Sequence, residues 1–128
     1  MKLLLDTHIL IWMALDELPQ SAVDYIVDET NALFFSPASI WEATIKHSQK
    51  RPDFTVSPYA LYNGLIENNF IELPLKSPHS LTVGTLPPIH KDPFDRILLA
   101  QSISEGIPLL TFDKVLKQYP APIILLGK

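Results

Sequence analysis

The chain has 128 residues, of which 47% are hydrophobic, and it carries a formal net charge of −4 and no cysteine. This length suits one domain with its own apolar core, so we expect a single domain over residues 1–128. The lack of cysteine excludes disulfides and thiolate chemistry, and it fits a cytoplasmic location. The acidic balance argues against a protein that coats nucleic acid nonspecifically, because such proteins neutralise phosphates with an excess of basic residues.

The apolar start of the chain resembles a secretion signal, but Asp6 and His8 interrupt it and no small-residue cleavage site follows. No stretch approaches the roughly 18 uninterrupted apolar residues of a membrane span. We therefore expect neither a signal peptide nor a membrane segment.

Short apolar runs, punctuated by prolines, predict strands that alternate with helices. Four prolines follow a serine or aspartate that can cap a helix, and proline suits the first helical position because its missing N–H would be unpaired there. In chain order the predicted elements are strand Lys2–Leu5, helices 8–15 and 20–29, strand Ala32–Phe35, helices starting at Ser36-Pro37 and Ser57-Pro58, strand 70–73, helices starting at Ser77-Pro78 and Asp92-Pro93, strand Leu109–Thr111, helix Lys114–Gln118 and strand 123–126.

Most of these strands are apolar throughout, which is typical of a sheet covered by helices on both faces. The sequence thus predicts an α/β fold, a three-layer α/β/α sandwich around a mostly parallel central sheet.

Four acids are expected at one edge of that sheet. Asp6 ends the first strand, Glu42 lies in the helix after the second, Asp95 lies in the first turn of its helix, and Asp113 closely follows Leu109–Thr111. Ligands bind beyond the carboxyl ends of parallel strands. Four like charges there would repel one another unless a cation lay between them, and hard oxygen ligands suit Mg²⁺ or Mn²⁺.

Each acid also has a structural interpretation, and the sequence alone leaves both open. Asp6 and Asp113 can be turn or helix-cap residues. Glu42 lies four residues before Lys46, which is the spacing of an exposed salt bridge on a helix. Asp95 can complement the helix dipole. For Asp92 we prefer the cap interpretation, because Asp-Pro is a strong helix start.

Four segments taken together resemble the PIN domain, and more narrowly the VapC-type toxins of bacterial toxin–antitoxin pairs. Their order and spacing match along the whole chain from about Lys2. The segments read LLLDTH at 3–8, SIWEATIK at 39–46, HKDPFDR at 90–96 and LTFD at 110–113.

The resemblance implies a metal-dependent endoribonuclease that uses one or two Mg²⁺ or Mn²⁺ ions to hydrolyse RNA with an activated water. Asp6, Glu42 and Asp95 match the three acids of the family's metal site. Asp113 matches a further acid found in many members, and Thr111 matches a nearby hydroxyl position. The resemblance also implies a cognate antitoxin protein as partner and a homodimer.

Several polar residues near the motifs are expected to support the metal ligands or to contact substrate. We expect the hydroxyls of Thr7 and Thr111 to support the metal ligands, and Arg96 and Lys46 to contact substrate. The histidines lack zinc-site spacing, so we interpret His8 and His90 as local structure or substrate contacts.

We expect both tryptophans, Trp12 and Trp41, to pack in the core. Either could stack on a base only if its ring were exposed at the pocket.

Two alternatives remain for the function. One is a non-catalytic protein- or RNA-binding module on the same fold. The other is an α/β phosphohydrolase with Asp6 as nucleophile, which is weakened because His8 stands where such enzymes place a second aspartate.

Overall fold

The computed structural model describes residues 1–127 and confirms the α/β prediction. In chain order its elements are β1 (Lys2–Leu5), α1 (Thr7–Ala14), α2 (Gln20–Val27), β2 (Ala32–Phe35), α3 (Pro37–Ser48), α4 (Pro58–Glu67), β3 (Ile71–Glu72), α5 (Ser77–Val83), α6 (Pro93–Glu105), β4 (Leu109–Thr111), a 3₁₀ helix (Lys114–Gln118) and β5 (Ile123–Leu125). The five strands form one sheet in the order β3-β2-β1-β4-β5, and every pairing is parallel.

The central strand β1 is buried on both faces, which explains its continuous apolar sequence. Leu3 and Leu5 belong to a core cluster that includes residues of α1, α3 and α4. Leu4 belongs to a second cluster with Leu98 and Leu99 of α6. Alternate side chains of a strand point to opposite faces, so the two clusters lie on either side of the sheet. Helices thus cover both faces, as in the predicted three-layer sandwich.

Three of the four helix starts predicted at Ser-Pro and Asp-Pro hold. The Ser36 hydroxyl accepts a hydrogen bond from the Ala38 N–H (3.1 Å), and the Ser57 hydroxyl accepts one from Ala60. The start predicted at Ser77-Pro78 is wrong by one residue, because Lys76 is the N-cap and Ser77 is already helical. The Lys76 N–H donates to Nδ1 of the buried His79 (3.0 Å), so a histidine in the first turn bonds the N-cap backbone.

Some elements begin or end one or two residues away from the predicted positions. Strand β3 has two residues rather than four, since only Ile71 and Glu72 pair with β2. Helix α2 ends at Val27, two residues earlier than predicted, and α1 starts one residue earlier at Thr7. None of the helices within residues 1–127 is long and apolar enough to cross a membrane.

The register of β1 against β4 places the residues that follow these strands. Leu5 pairs with Leu110, and the Asp6 N–H donates to the Leu110 carbonyl (3.1 Å). Asp6 therefore leaves the sheet beside Thr111, at the carboxyl edge where parallel α/β sheets bind their ligands.

Candidate active site

An open cavity of about 290 Å³ lies at the carboxyl edge of β1 and β4. Three of the four acids that the sequence singles out, Asp6, Asp95 and Asp113, line it. The remaining wall is largely apolar and aromatic, formed by His8, Ile9, Trp12 and Phe112. A cavity of this kind can exclude part of the solvent around the carboxylates.

Asp6 is the most firmly held of these acids. Only 5% of the surface of Asp6 is exposed, and its Oδ2 accepts a hydrogen bond from the Thr111 hydroxyl (2.6 Å). The same hydroxyl accepts the Asp113 N–H (3.0 Å), so Thr111 connects β4 to both acids. Although Asp6 occupies the N-cap position of α1, its side chain makes no capping bond. Its structural interpretation as a helix cap is therefore wrong.

Glu42 is nearly inaccessible, with 2% of its surface exposed, and it lies one turn before Lys46 on α3. Its Oε2 pairs with Nζ of Lys46 at 2.5 Å. The salt bridge that the spacing indicates does form, but it is not the exposed surface pair that the structural interpretation assumed. The Lys46 ammonium also lies 5.0 Å from the centroid of the Phe54 ring, so an aromatic wall fixes its position.

Asp95 and Asp113 are joined by a histidine that the sequence did not assign to the site. Nε2 of His90 lies 2.9 Å from Oδ2 of Asp95 and 3.5 Å from Oδ2 of Asp113. Ligand atoms of the three side chains lie within 4.8 Å of one another, which is a spacing that could hold a metal ion. Asp113 also caps the 3₁₀ helix by accepting the Val115 N–H (2.9 Å), so its cap interpretation holds beside its place in the cavity.

The carboxyl groups perturb one another electrostatically, and their pKa values report this. Burial, together with the negative charges of Asp6, Asp92, Glu42 and Asp113, raises the pKa of Asp95 to about 8. Burial also raises the pKa of Asp6, and the charge of Glu42 acts in the same direction, while the hydrogen bond from Thr111 opposes both. The charges of Asp6, Glu42 and Asp113 thus all reach Asp95, as expected where like charges share a site.

Two buried oxygens of this site have no hydrogen-bond partner in the described part of the chain: Oδ1 of Asp6 and Oε1 of Glu42. A buried acceptor without a partner costs about 1–3 kcal/mol, and more when it is charged. A divalent cation held by these acids would offset their mutual repulsion and give such an unpartnered oxygen a partner. The donor set, dominated by carboxylate oxygens, fits Mg²⁺ or Mn²⁺.

Asp92 and Thr7 have roles in local structure. Oδ1 of Asp92 accepts the N–H groups of Phe94 (2.8 Å) and Asp95 (3.4 Å), as expected of a helix cap. The Thr7 hydroxyl pairs with the Ser39 hydroxyl (2.8 Å) and joins α1 to α3. We expected this hydroxyl to support a metal-ligand carboxylate, but its hydrogen bond is to Ser39 instead.

Arg96 is also placed differently from the prediction that it contacts substrate. Its Nη1 and Nη2 donate to four backbone carbonyls, those of Val83, Leu86, Pro87 and His90. The guanidinium thus holds the segment between α5 and α6 against the start of α6. Sequence adjacency to Asp95 suggested a phosphate partner, but the carbonyls of this segment occupy the donors instead.

Sequence reasoning interpreted His90 as local structure or a substrate contact rather than as a possible metal ligand, and it misplaced Trp41. His90 reaches the acids from an irregular segment, where no helical or strand spacing signals that it shares a site with Asp95 and Asp113. Trp41 is not in the core but 61% exposed, and its ring meets the Phe94 ring edge to face at a centroid distance of 5.2 Å. Trp12 lines the cavity, with its ring 5.5 Å from that of Phe112.

Solved structures with this fold are found in several bacteria. A chain in the DNA-bound VapBC2 structure from Rickettsia felis superposes with a TM-score of 0.75 at 16% identity, covering 98% of both chains. One from the DNA-bound VapBC structure of Salmonella typhimurium gives 0.71 at 16% identity, covering 97% of both. One from VapBC-1 of nontypeable Haemophilus influenzae gives 0.65 at 18% identity, covering 92% of this chain and 91% of that one.

At these identities the likeness establishes the fold. No curated protein sequence matches the chain significantly. A family model does, since the model of the PIN domain matches residues 3–122, which span the motifs and all four acids. The chain therefore belongs to the PIN domain family.

Proposed function

We propose that this protein is a Mg²⁺- or Mn²⁺-dependent endoribonuclease and the toxin of a toxin–antitoxin pair. The observation that carries the catalytic part is the pair of buried, unpartnered oxygens, Asp6 Oδ1 and Glu42 Oε1, in an acidic site at the carboxyl edge of the sheet. Membership of the PIN family supports the choice of a nuclease over a binding module.

One or two ions would be held by four acids, Asp6, Glu42, Asp95 and Asp113. Different contacts position these side chains or balance their charge. Thr111 orients Asp6 from β4, and Lys46 compensates the charge of Glu42. The first turn of α6, capped by Asp92, presents Asp95. When bound, the cation supplies an activated water and neutralises charge on the scissile phosphate. Lys46 is the remaining candidate for a substrate phosphate contact, since its ammonium lies beside the acidic site.

The first test is metal-dependent RNA cleavage by the wild-type chain and two isosteric variants. We expect cleavage with Mg²⁺ or Mn²⁺, none with EDTA, and a loss of at least about 100-fold in Asp6→Asn and Asp95→Asn, because each removes a charged ligand worth several kcal/mol. Asp24→Asn is the charge-matched control. Asp24 is exposed on α2, where it pairs only with Gln20 among the contacts described, so this variant should retain activity.

The products test the mechanism. Hydrolysis by water leaves a 5′ phosphate and needs no 2′-hydroxyl, so a 2′-deoxy substitution at the cleaved nucleotide should be tolerated. A 2′,3′-cyclic phosphate product, or undiminished cleavage by the Asp6 and Asp95 variants, would contradict the proposal. If the chain were a non-catalytic binding module, it would not cleave RNA, and EDTA would not change its binding.

The toxin part rests on the resemblance to VapC-type proteins and on the structural neighbours, which come from structures of VapBC. We expect induced expression of the wild-type chain to arrest growth and expression of Asp6→Asn to be tolerated. A cognate antitoxin, encoded in a neighbouring reading frame, should restore growth and co-purify with the chain. Arrest by both forms alike would point to a cause other than RNA cleavage.

A further inference from the structure

An exposed aromatic pair lies beside the acidic site. Trp41 is 61% exposed, and its ring contacts the half-buried Phe94 at 5.2 Å between centroids with an interplanar angle of 78°. Phe94 thus supports the indole, and much of the Trp41 side chain stays open to solvent. An aromatic ring held by a neighbour and open to solvent can stack on a ligand with little further loss of side-chain entropy.

Both residues of the aromatic pair, Trp41 and Phe94, are adjacent in sequence to proposed metal ligands. Trp41 directly precedes Glu42 on α3, and Phe94 directly precedes Asp95 on α6. The Lys46 ammonium lies 5.8 Å from the Phe94 centroid while it pairs with Glu42. Helices α3 and α6 contact each other. Helix α3 carries Trp41, Glu42 and Lys46, and the first turn of α6 carries Phe94 and Asp95.

We propose that Trp41, supported by Phe94, stacks on an unpaired base of the RNA substrate, with Lys46 next to the adjoining backbone phosphate. The inference rests on the proposed nuclease function and names the substrate as single-stranded at this position. Proteins that bind single strands combine aromatic stacking platforms with positive charge along the backbone. Because the net charge of this chain is −4, local contacts of this kind must supply the affinity that a basic surface would otherwise provide.

A second exposed aromatic patch provides a comparison. Tyr59 is 84% exposed and borders a shallow cavity between α3 and α4 whose other lining residues are Ile40, Thr44, Pro58 and Tyr62. None of these residues is charged. The patch around Tyr59 thus lacks the cation and the acids that accompany Trp41, and it serves as the matched control surface.

Binding can be measured directly on Trp41, because the chain has only two tryptophans. In a Trp12→Phe, Asp95→Asn background with Mg²⁺ present, Trp41 is the sole indole and cleavage is disabled. We expect a short oligoadenylate to quench its fluorescence and an abasic ribose-phosphate oligomer of equal length to leave it unquenched. Anisotropy of a fluorescently labelled oligoadenylate, which needs no indole in the protein, compares the variants. By this measure Trp41→Ala should weaken binding by about 5- to 100-fold, while Trp41→Phe and Tyr59→Ala should stay near the parent value.

Steady-state cleavage gives an independent readout. In otherwise wild-type protein, Trp41→Ala should raise KM with a smaller change in kcat, because the stacked base contributes binding energy rather than chemistry. Unchanged KM and unchanged oligoadenylate affinity in Trp41→Ala would overturn the stacking proposal while leaving the nuclease proposal intact. Loss of self-association or of antitoxin binding, with RNA binding unchanged, would overturn it in favour of a protein contact. Quenching without any metal-dependent cleavage by wild type would instead overturn the nuclease assignment.

Discussion

At the residue scale, the chemistry of the site lies in how differently its acids are supported. Asp6 is fixed by the Thr111 hydroxyl, Glu42 is compensated by Lys46, and Asp113 is engaged in a helix cap. Asp95 carries a strongly raised pKa, because it is half-buried and its carboxyl lies close to the charges of Asp6, Asp92, Glu42 and Asp113. The free energy of unfolding of the metal-free protein should therefore depend on the protonation of Asp95.

The raised pKa of Asp95 sets the direction of that dependence. Between the ordinary value of 3.8 and about 8, the folded protein holds a proton that the unfolded chain has lost, so stability falls as pH rises through this range. Asp95→Asn removes this penalty. In urea unfolding with EDTA, the variant should gain on wild type between about pH 5 and about pH 8. A difference in unfolding free energy that is independent of pH would contradict this assignment.

At the scale of elements, the first turn of α6 and the preceding segment form one unit. Asp92 caps the helix, and Arg96 ties four carbonyls between Val83 and His90 to it. The same segment delivers His90 to Asp95 and Asp113. The position of His90 in the site thus depends on a guanidinium that contacts no member of the acid cluster in the described contacts.

Arg96→Lys should reveal this dependence, since an ammonium keeps the charge but lacks the planar donors that reach several carbonyls at once. We expect a loss of roughly 2 kcal/mol in the free energy of unfolding and faster limited proteolysis within residues 84–91. Lys91→Gln removes an exposed charge in the same segment and serves as the control. Equal stability and equal protease resistance in Arg96→Lys would show that the carbonyl contacts contribute little.

At the scale of the whole molecule, one site joins elements that are far apart in the chain. Asp6 follows β1, Glu42 belongs to α3, Asp95 to α6, and Asp113 follows β4. A ligand that bridges these acids binds only the folded chain, so it must stabilise the whole fold.

Thermal unfolding with Mn²⁺ measures that linkage. At a free concentration 100 times the dissociation constant, the ion should add about 2.7 kcal/mol to the stability of wild type. Asp6→Asn should gain much less, and Asp24→Asn should gain as much as wild type. Equal stabilisation of all three proteins would place the ion outside the proposed site.

The sequence by itself determined the sheet and most helix starts, and it singled out four acids, of which Asp6, Asp95 and Asp113 line one cavity. These depend on local signals: apolar runs, Ser-Pro and Asp-Pro caps, and the rule that parallel strands end at one edge. The tertiary structure alone decided the environment of each side chain. It showed Glu42 buried rather than on the surface, Arg96 held by carbonyls, Trp41 exposed, and His90 brought to the acids by an irregular segment. Burial and long-range contacts arise from packing between elements distant in sequence, and no local pattern encodes them.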